Sequence, residues 1–155
     1  MESMSTLSIQ EIIDYTTSNY EGVVENQNWG ERGLFYNPKG KLPKGIYILT
    51  FKEKDGPNDK ASNVDRPGVY RLNLGISKQT YQTLFGEIPK RPLAGRIVNT
   101  GHDFDKLDEI MPHPVYGWMS WIGVLNPSKT TFSKLKPLID EGVELAKIKY
   151  AKKVK

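Results

Sequence analysis

The sequence predicts an α+β domain: an antiparallel sheet of about five strands packed with N- and C-terminal helices, in the order α-β-β-β-β-α-β-α. Three observations predict it. Apolar residues recur at helical spacing near both ends, first at Ile9, Ile12, Ile13, Thr16 and Tyr20, then at Leu135, Leu138, Ile139, Gly142, Leu145, Ala146 and Tyr150. Between them stand short apolar runs of strand length separated by Pro and Gly. The whole is 155 residues long, one ordinary domain, with no internal repeat or low-complexity segment.

The first helix starts at Ser8-Ile9-Gln10-Glu11, a capping box in which the hydroxyl and the carboxylate each take an orphan amide; Leu7 and Ile12 hold the staple positions around it. Residues 1–7 are expected to be loose. Val23–Asn26 and Gly33–Tyr36 read as strands joined by a turn at Trp29–Gly33. Asn37-Pro38-Lys39-Gly40 and Pro43-Lys44-Gly45 are breakers. Ile46–Phe51 is apolar on both faces, which predicts a central strand covered by helices. Lys52–Ser62 is polar and reads as a surface loop.

Arg66-Pro67-Gly68-Val69 places Pro and Gly where a type II turn needs them. In the strand after it Tyr70, Leu72, Leu74 and Ile76 share one face, and Val69, Arg71, Asn73 and Gly75 the other. Ser77 caps a helix to Phe85, closed by Gly86. Residues 87–101 form a long loop or insertion. Phe104, Leu107, Ile110 and Met111 fit one short helix, and Tyr116–Leu125 a strand with Trp118 and Trp121 on opposite faces. Asn126-Pro127-Ser128 breaks it. The last helix covers Phe132–Lys152, with a kink or a separate first turn at Pro137, and ends in a frayed basic tail, 152–155.

Composition narrows the chemistry. There is no cysteine, which removes disulfides, thiolate nucleophiles and Cys-based metal sites. No apolar run approaches the roughly 20 residues of a membrane span, and no signal peptide opens the chain, so the expected location is cytoplasmic and no membrane partner is expected. The net charge of +4 is uneven. Residues 1–31 hold six acids and no Lys or Arg, whereas residues 129–155 hold eight lysines against three acids. Gly40-Lys41 is followed by Leu42, so it is not a phosphate loop; Ser120 stands in Gly117-Trp118-Met119-Ser120-Trp121, which is not a nucleophile elbow. No histidine spacing matches a zinc box. No metal and no cofactor is expected.

Three constellations remain. Arg71 and Asn73 are two apart on one strand, roughly 6.6 Å between Cα atoms and pointing the same way. With Asn63, Asp65 and Arg66 from the preceding turn they suit a carboxylate or phosphate. A local role fits the same residues, with Arg71 paired to Asp65 and the Asx side chains bonded to their own backbone. His102, Asp103, His113 and Tyr116 form the second set, two imidazole rings beside a carboxylate and a phenol, residue types that suit acid or base chemistry. A His–Asp turn contact and a proline-flanked loop histidine are the bland alternative. The aromatic residues Trp29, Tyr116, Trp118 and Trp121 are the third set, suited to a groove or to the core.

The stretches Ala61–Gly75, Thr100–Phe104 and Met111–Gly117 resemble an uncharacterised bacterial family, domain of unknown function 6194, over most of the chain. More loosely, Ser120–Val124 with Leu138–Glu141 and Leu145-Ala146 is similar to the MmcQ/YjbR-like proteins. That resemblance implies a YjbR-like α+β fold, for which DNA binding has been suggested by analogy, although the Glu87–Gly101 insertion departs from it. Neither likeness implies a catalytic residue.

The leading expectation is therefore a small cytosolic module binding an unknown small anionic ligand or a partner, its site between Asn63–Asn73 and His102–Tyr116. One alternative is nucleic-acid binding through Lys147, Lys149, Lys152 and Lys153. The other is an enzyme using His102 or His113 as general acid or base.

Overall fold

The computed structural model describes residues 6–28 and 31–154. Helix α1 (Ile9–Asn19) opens on the expected capping box: Ser8 Oγ accepts from the Glu11 amide at 3.0 Å, and Glu11 Oε1 accepts from the Ser8 amide at 2.8 Å. Thr6 and Leu7, expected to be loose, are held: Thr6 bridges Ser128, and the Leu7 amide donates to the Pro127 carbonyl at 3.0 Å. Strands β1 (Val23–Asn28), β2 (Glu31–Tyr36) and β3 (Ile46–Lys52) follow. Glu31–Gly33, read as part of a turn, belong to β2; Trp29 and Gly30 lie outside the described residues.

The turn before β4 (Arg71–Gly75) is as expected: Gly68 has φ +74° and the Val69 amide donates to the Arg66 carbonyl at 3.3 Å. Ser77 caps α2 (Lys78–Phe85) by accepting from the Thr80 amide, and Gly86 ends it at φ +87°. No helix forms at Phe104–Met111. Asp108 is left-handed at φ +61°, its amide donates to the Leu125 carbonyl, Leu107 makes a parallel bridge to Leu125, and Met111–Pro112 is the short strand β5. Four apolar residues at helical spacing cannot outweigh these tertiary bonds. The strand expected from Tyr116 begins only at Trp121. Gly117–Met119 is a 3₁₀ turn and Ser120 is left-handed at φ +68°, so β6 is Trp121–Leu125.

Among the described residues the strands form one sheet in the order β1-β2-β3-β4-β6-β5, antiparallel throughout and one strand larger than expected. The added strand is β5. Helix α3 (Lys129–Lys153) starts at the Ser128 N-cap and runs through Pro137 without interruption to Lys153, past the point where fraying was expected. Pro137 and Ser133 are both exposed, so the carbonyl that loses its amide partner can reach water.

All three helices meet one face of the sheet. Ile12 and Ile13 of α1, Tyr81 of α2 and Leu135, Ile139, Val143 and Ala146 of α3 join Leu34, Leu72, Leu74, Ile122 and Val124 in a single core. The prediction that helices cover Ile46–Phe51 on both sides is therefore incorrect, for a local reason. Leu34 opposes Leu49 but Phe35 opposes Tyr47, so Ile48 is the extra residue of a β-bulge. The bulge reverses the alternation and sends Ile46, Ile48, Leu49 and Phe51 to the same core. Tyr47, Thr50 and Lys52 are left for the opposite face. Loops cover that face over a second, smaller cluster of Val98, Phe104 and Met111.

Candidate functional site

The loop-covered face is where the chemistry collects. Arg71, Asn73 and Gly75 of β4 point to it, opposite Lys52 and Thr50 of β3 and Leu125, Gly123 and Trp121 of β6. Gly123 makes the arrangement possible: a Cβ there would stand 3.2 Å from Arg71 Cδ, so the guanidinium stem lies on bare backbone. Arg71 is 2 % exposed and Asn73 3 %. A buried guanidinium needs all of its hydrogens met. Nε donates to Asn73 Oδ1 at 2.6 Å, Nη1 to Asp59 Oδ1 at 3.0 Å and to Ser62 Oγ at 2.9 Å, and Nη2 to Asp59 Oδ2 at 2.5 Å. The remaining Nη2 hydrogen points at His113 Nε2, 3.1 Å away.

His113 is 3 % exposed, held between two prolines with its amide bonded to the Trp121 carbonyl. Its Nδ1 accepts from the amides of Val115 and Tyr116, each at 3.0 Å. Burial, then the charges of Arg71 and Lys52, push its pKa well below the ordinary value, so the ring is neutral. A neutral imidazole has one acceptor nitrogen. Here three N–H groups face the ring. Whichever ring nitrogen carries the proton, the donors that face the ring outnumber its acceptors.

These groups form the floor of a cavity of about 620 Å³. Lys52, 8 % exposed, stands beside Arg71 with Nζ 3.2 Å from Glu31 Oε2 and 3.9 Å from Asp59 Oδ2. Asp59 therefore lies between two buried cations, while Glu31 sits nearer the rim. Asn73 Nδ2 donates to Thr50 Oγ1 at 3.1 Å. The walls are apolar and open to solvent: Tyr47, Tyr116 and Met119 are 42–52 % exposed, and Trp121 is half-buried.

The structure thus brings Arg71, Asn73, His113 and Tyr116 together and parts them from the other expected residues. Asp65 Oδ1 accepts from the Asp55 amide and does not meet Arg71. Arg66 bonds the carbonyls of Asn63, Ser62 and Asp105, holding the loop, and Asn63 is a left-handed turn residue at φ +52°. His102 lines a different cavity with Nδ1 2.8 Å from Thr100 Oγ1. Asp103 is exposed beside Asp105, whose pKa it raises, and has no bond to His102. Trp118 packs on the smaller cluster with the Arg91 guanidinium 4.8 Å over its ring. Lys147, Lys149, Lys152 and Lys153 are exposed near the end of α3, Lys147 paired with Glu144.

Asp59, Lys52, Thr50 and Glu31 were missed. Lys52 and Asp59 stood in a segment that composition alone marks as a surface loop, and only strand register sets Lys52 against Arg71. As chemistry, the arrangement offers hydrogens and positive charge. The His113 ring has both nitrogens faced by donors and touches no carboxylate. Among the described residues no group of three His, Asp or Glu stands together to hold a metal ion, and no helix is long and apolar enough to cross a membrane.

A family model, described as a family of unknown function (DUF6194), matches residues 4–155. No curated protein and no solved structure shows significant similarity to the chain.

Proposed function

Because the chain belongs to a family of unknown function, DUF6194, we propose from its own geometry that it is a small-molecule binding module. The ligand presents an oxyanion or another strong acceptor to the cavity floor and lays a flat apolar part against Tyr47, Tyr116 and Trp121. One observation carries this reading: the surplus of donors at the floor, where the Arg71 guanidinium and two backbone amides converge on one neutral imidazole beside Lys52. A ligand oxygen beside Arg71 and Lys52 takes up that surplus. The apolar walls over a few convergent polar groups have the composition of a ligand pocket. We further read the strand and helix of the C-terminal half as YjbR-like, a likeness that carries no site residue.

Titration calorimetry with a panel of aromatic carboxylates and nucleoside monophosphates tests the proposal. At least one compound is expected to bind the wild type, with affinity reduced at least about tenfold in Lys52→Met and in Tyr116→Ala. Tyr116 is exposed, so its variant separates lost binding from lost folding. A panel that yields no binder, or binding indifferent to both substitutions, overturns the reading.

A further inference from the structure

We propose that the ligand of the cavity over β4 is a zwitterion, an α-amino acid with an aromatic side chain, and that Glu31 takes its ammonium group. This rests on that cavity being a ligand site and adds the class of ligand.

The first observation is the charge of the lining. Lys52 and Arg71 are its cations, Glu31 and Asp59 its carboxylates. The two signs cancel, and the neutral His113 ring adds nothing. A ligand carrying only an acid leaves this partly enclosed space with a net negative charge. A ligand that brings a cation with its acid leaves it balanced.

The second is which atoms are still open. Both Asp59 oxygens accept from Arg71. An ammonium group has three hydrogens, and Lys52 Nζ has one acceptor at bonding distance, Glu31 Oε2 at 3.2 Å; Asp59 Oδ2, at 3.9 Å, is too far for a hydrogen bond. Glu31 Oε1 has no hydrogen-bond partner among the described residues. A cationic donor and a carboxylate oxygen therefore stand open side by side. Their complement is a carboxylate for Lys52 and an ammonium for Glu31, joined through one carbon as in an α-amino acid.

The third is position. Strand pairing sets Lys52 against Arg71, and Glu31 reaches Lys52 from β2, so the charged groups form one row across three strands. Glu31, its side chain 34 % exposed, ends that row at the rim. The aromatic wall begins close by: the Tyr116 ring lies 5.1 Å from the His113 ring, whose Nε2 is 3.1 Å from Arg71 Nη2. The short methylene link of an aromatic amino acid suits a wall this near the polar row.

Titration calorimetry of the wild-type chain with L-phenylalanine, L-tyrosine and L-tryptophan tests the proposal, each compared with the same molecule lacking its ammonium group and with the one lacking its carboxylate. At least one amino acid is expected to bind about tenfold or more tighter than both counterparts. Glu31→Gln is expected to fold as the wild type does, since the side chain is part-exposed and glutamine can still accept from Lys52. It should lose that preference while binding the deaminated acid at least as well as the wild type. Lys52→Met should weaken both acids. A deaminated acid that binds as tightly as its amino acid, or a preference that survives in Glu31→Gln, overturns the proposal. So does a wild type that binds none of the amino acids; binding of the deaminated acids or of the nucleotides, weakened in Lys52→Met, then leaves the cavity a ligand site of another class.

Discussion

Arg71 is a guanidinium with 2 % of its surface exposed, and Asp59 is what makes that tolerable. The bidentate pair meets three requirements at once: it neutralises the charge, takes two hydrogens in parallel, and ties the Gly56–Asp59 turn to the sheet. Removing one partner leaves an uncompensated buried charge, so Asp59→Ala is expected to lower stability by about 3–5 kcal/mol. Urea unfolding measures it, and a loss under about 1 kcal/mol would mean that water already screens Arg71. Part of this site is legible in the residues alone. The spacing of Arg71 and Asn73 puts them on one face, and the Nε–Oδ1 bond follows from it. Asp59 is not legible, because nothing local prefers it over Asp65 as the partner, and Asp65 is taken by a backbone amide ten residues away.

Single residues also decide how elements meet. Gly142 lies where α3 crosses the sheet: a Cβ there would be 3.0 Å from Leu74 Cδ1 and 3.2 Å from the Gly75 carbonyl. The sheet backbone cannot give way as a side-chain tip can. Gly142→Val is therefore expected to cost about 1–3 kcal/mol, even though glycine is the poorer helix former. A variant as stable as the wild type in thermal melts would show that the helix can lift. The bulge in β3 acts at the same scale. Without it, with Leu49 in the core, Ile48 would occupy the cavity face and Tyr47 the core; with it, Ile48 joins the core and Tyr47 reaches the cavity wall beside Thr50 and Lys52. Helix starts were readable because caps are local, as at Ser8 and Ser77. The bulge, the 3₁₀ turn at Gly117–Met119 and the strand at Met111–Pro112 were not, because each is set by a partner strand or a distant carbonyl.

At the scale of the whole molecule, the three helices lie on one side of the sheet and the loops on the other, so the polar residues of β3 and β4 are enclosed without being part of the main core. One consequence is a dependence on pH. His113 is neutral in the folded chain, with its pKa well below the ordinary value, while the unfolded chain takes a proton there near pH 6.5. This contribution is therefore present in full above about pH 6.5. It is lost as pH falls through and below that value, by up to about 1.4 kcal/mol for each pH unit. Unfolding free energy is expected to drop between pH 7 and pH 5, and the His113→Asn profile to be flatter over that window. Equal slopes for the two proteins would show that the ring is protonated in the folded state.

Ala61–Gly86 shows where local and long-range effects divide. Its turn at Pro67-Gly68, its alternation and its capped helix follow from φ preferences, side-chain period and short-range hydrogen bonds, all within a few residues of the chain. The α+β class follows in the same way, from periods that the amino-acid order carries. Which carboxylate meets Arg71, on which face Lys52 stands, and that His113 lies against Arg71 depend on contacts between residues from 12 to 42 positions apart. Those contacts are set by strand register and loop packing, which exist only once the chain has folded.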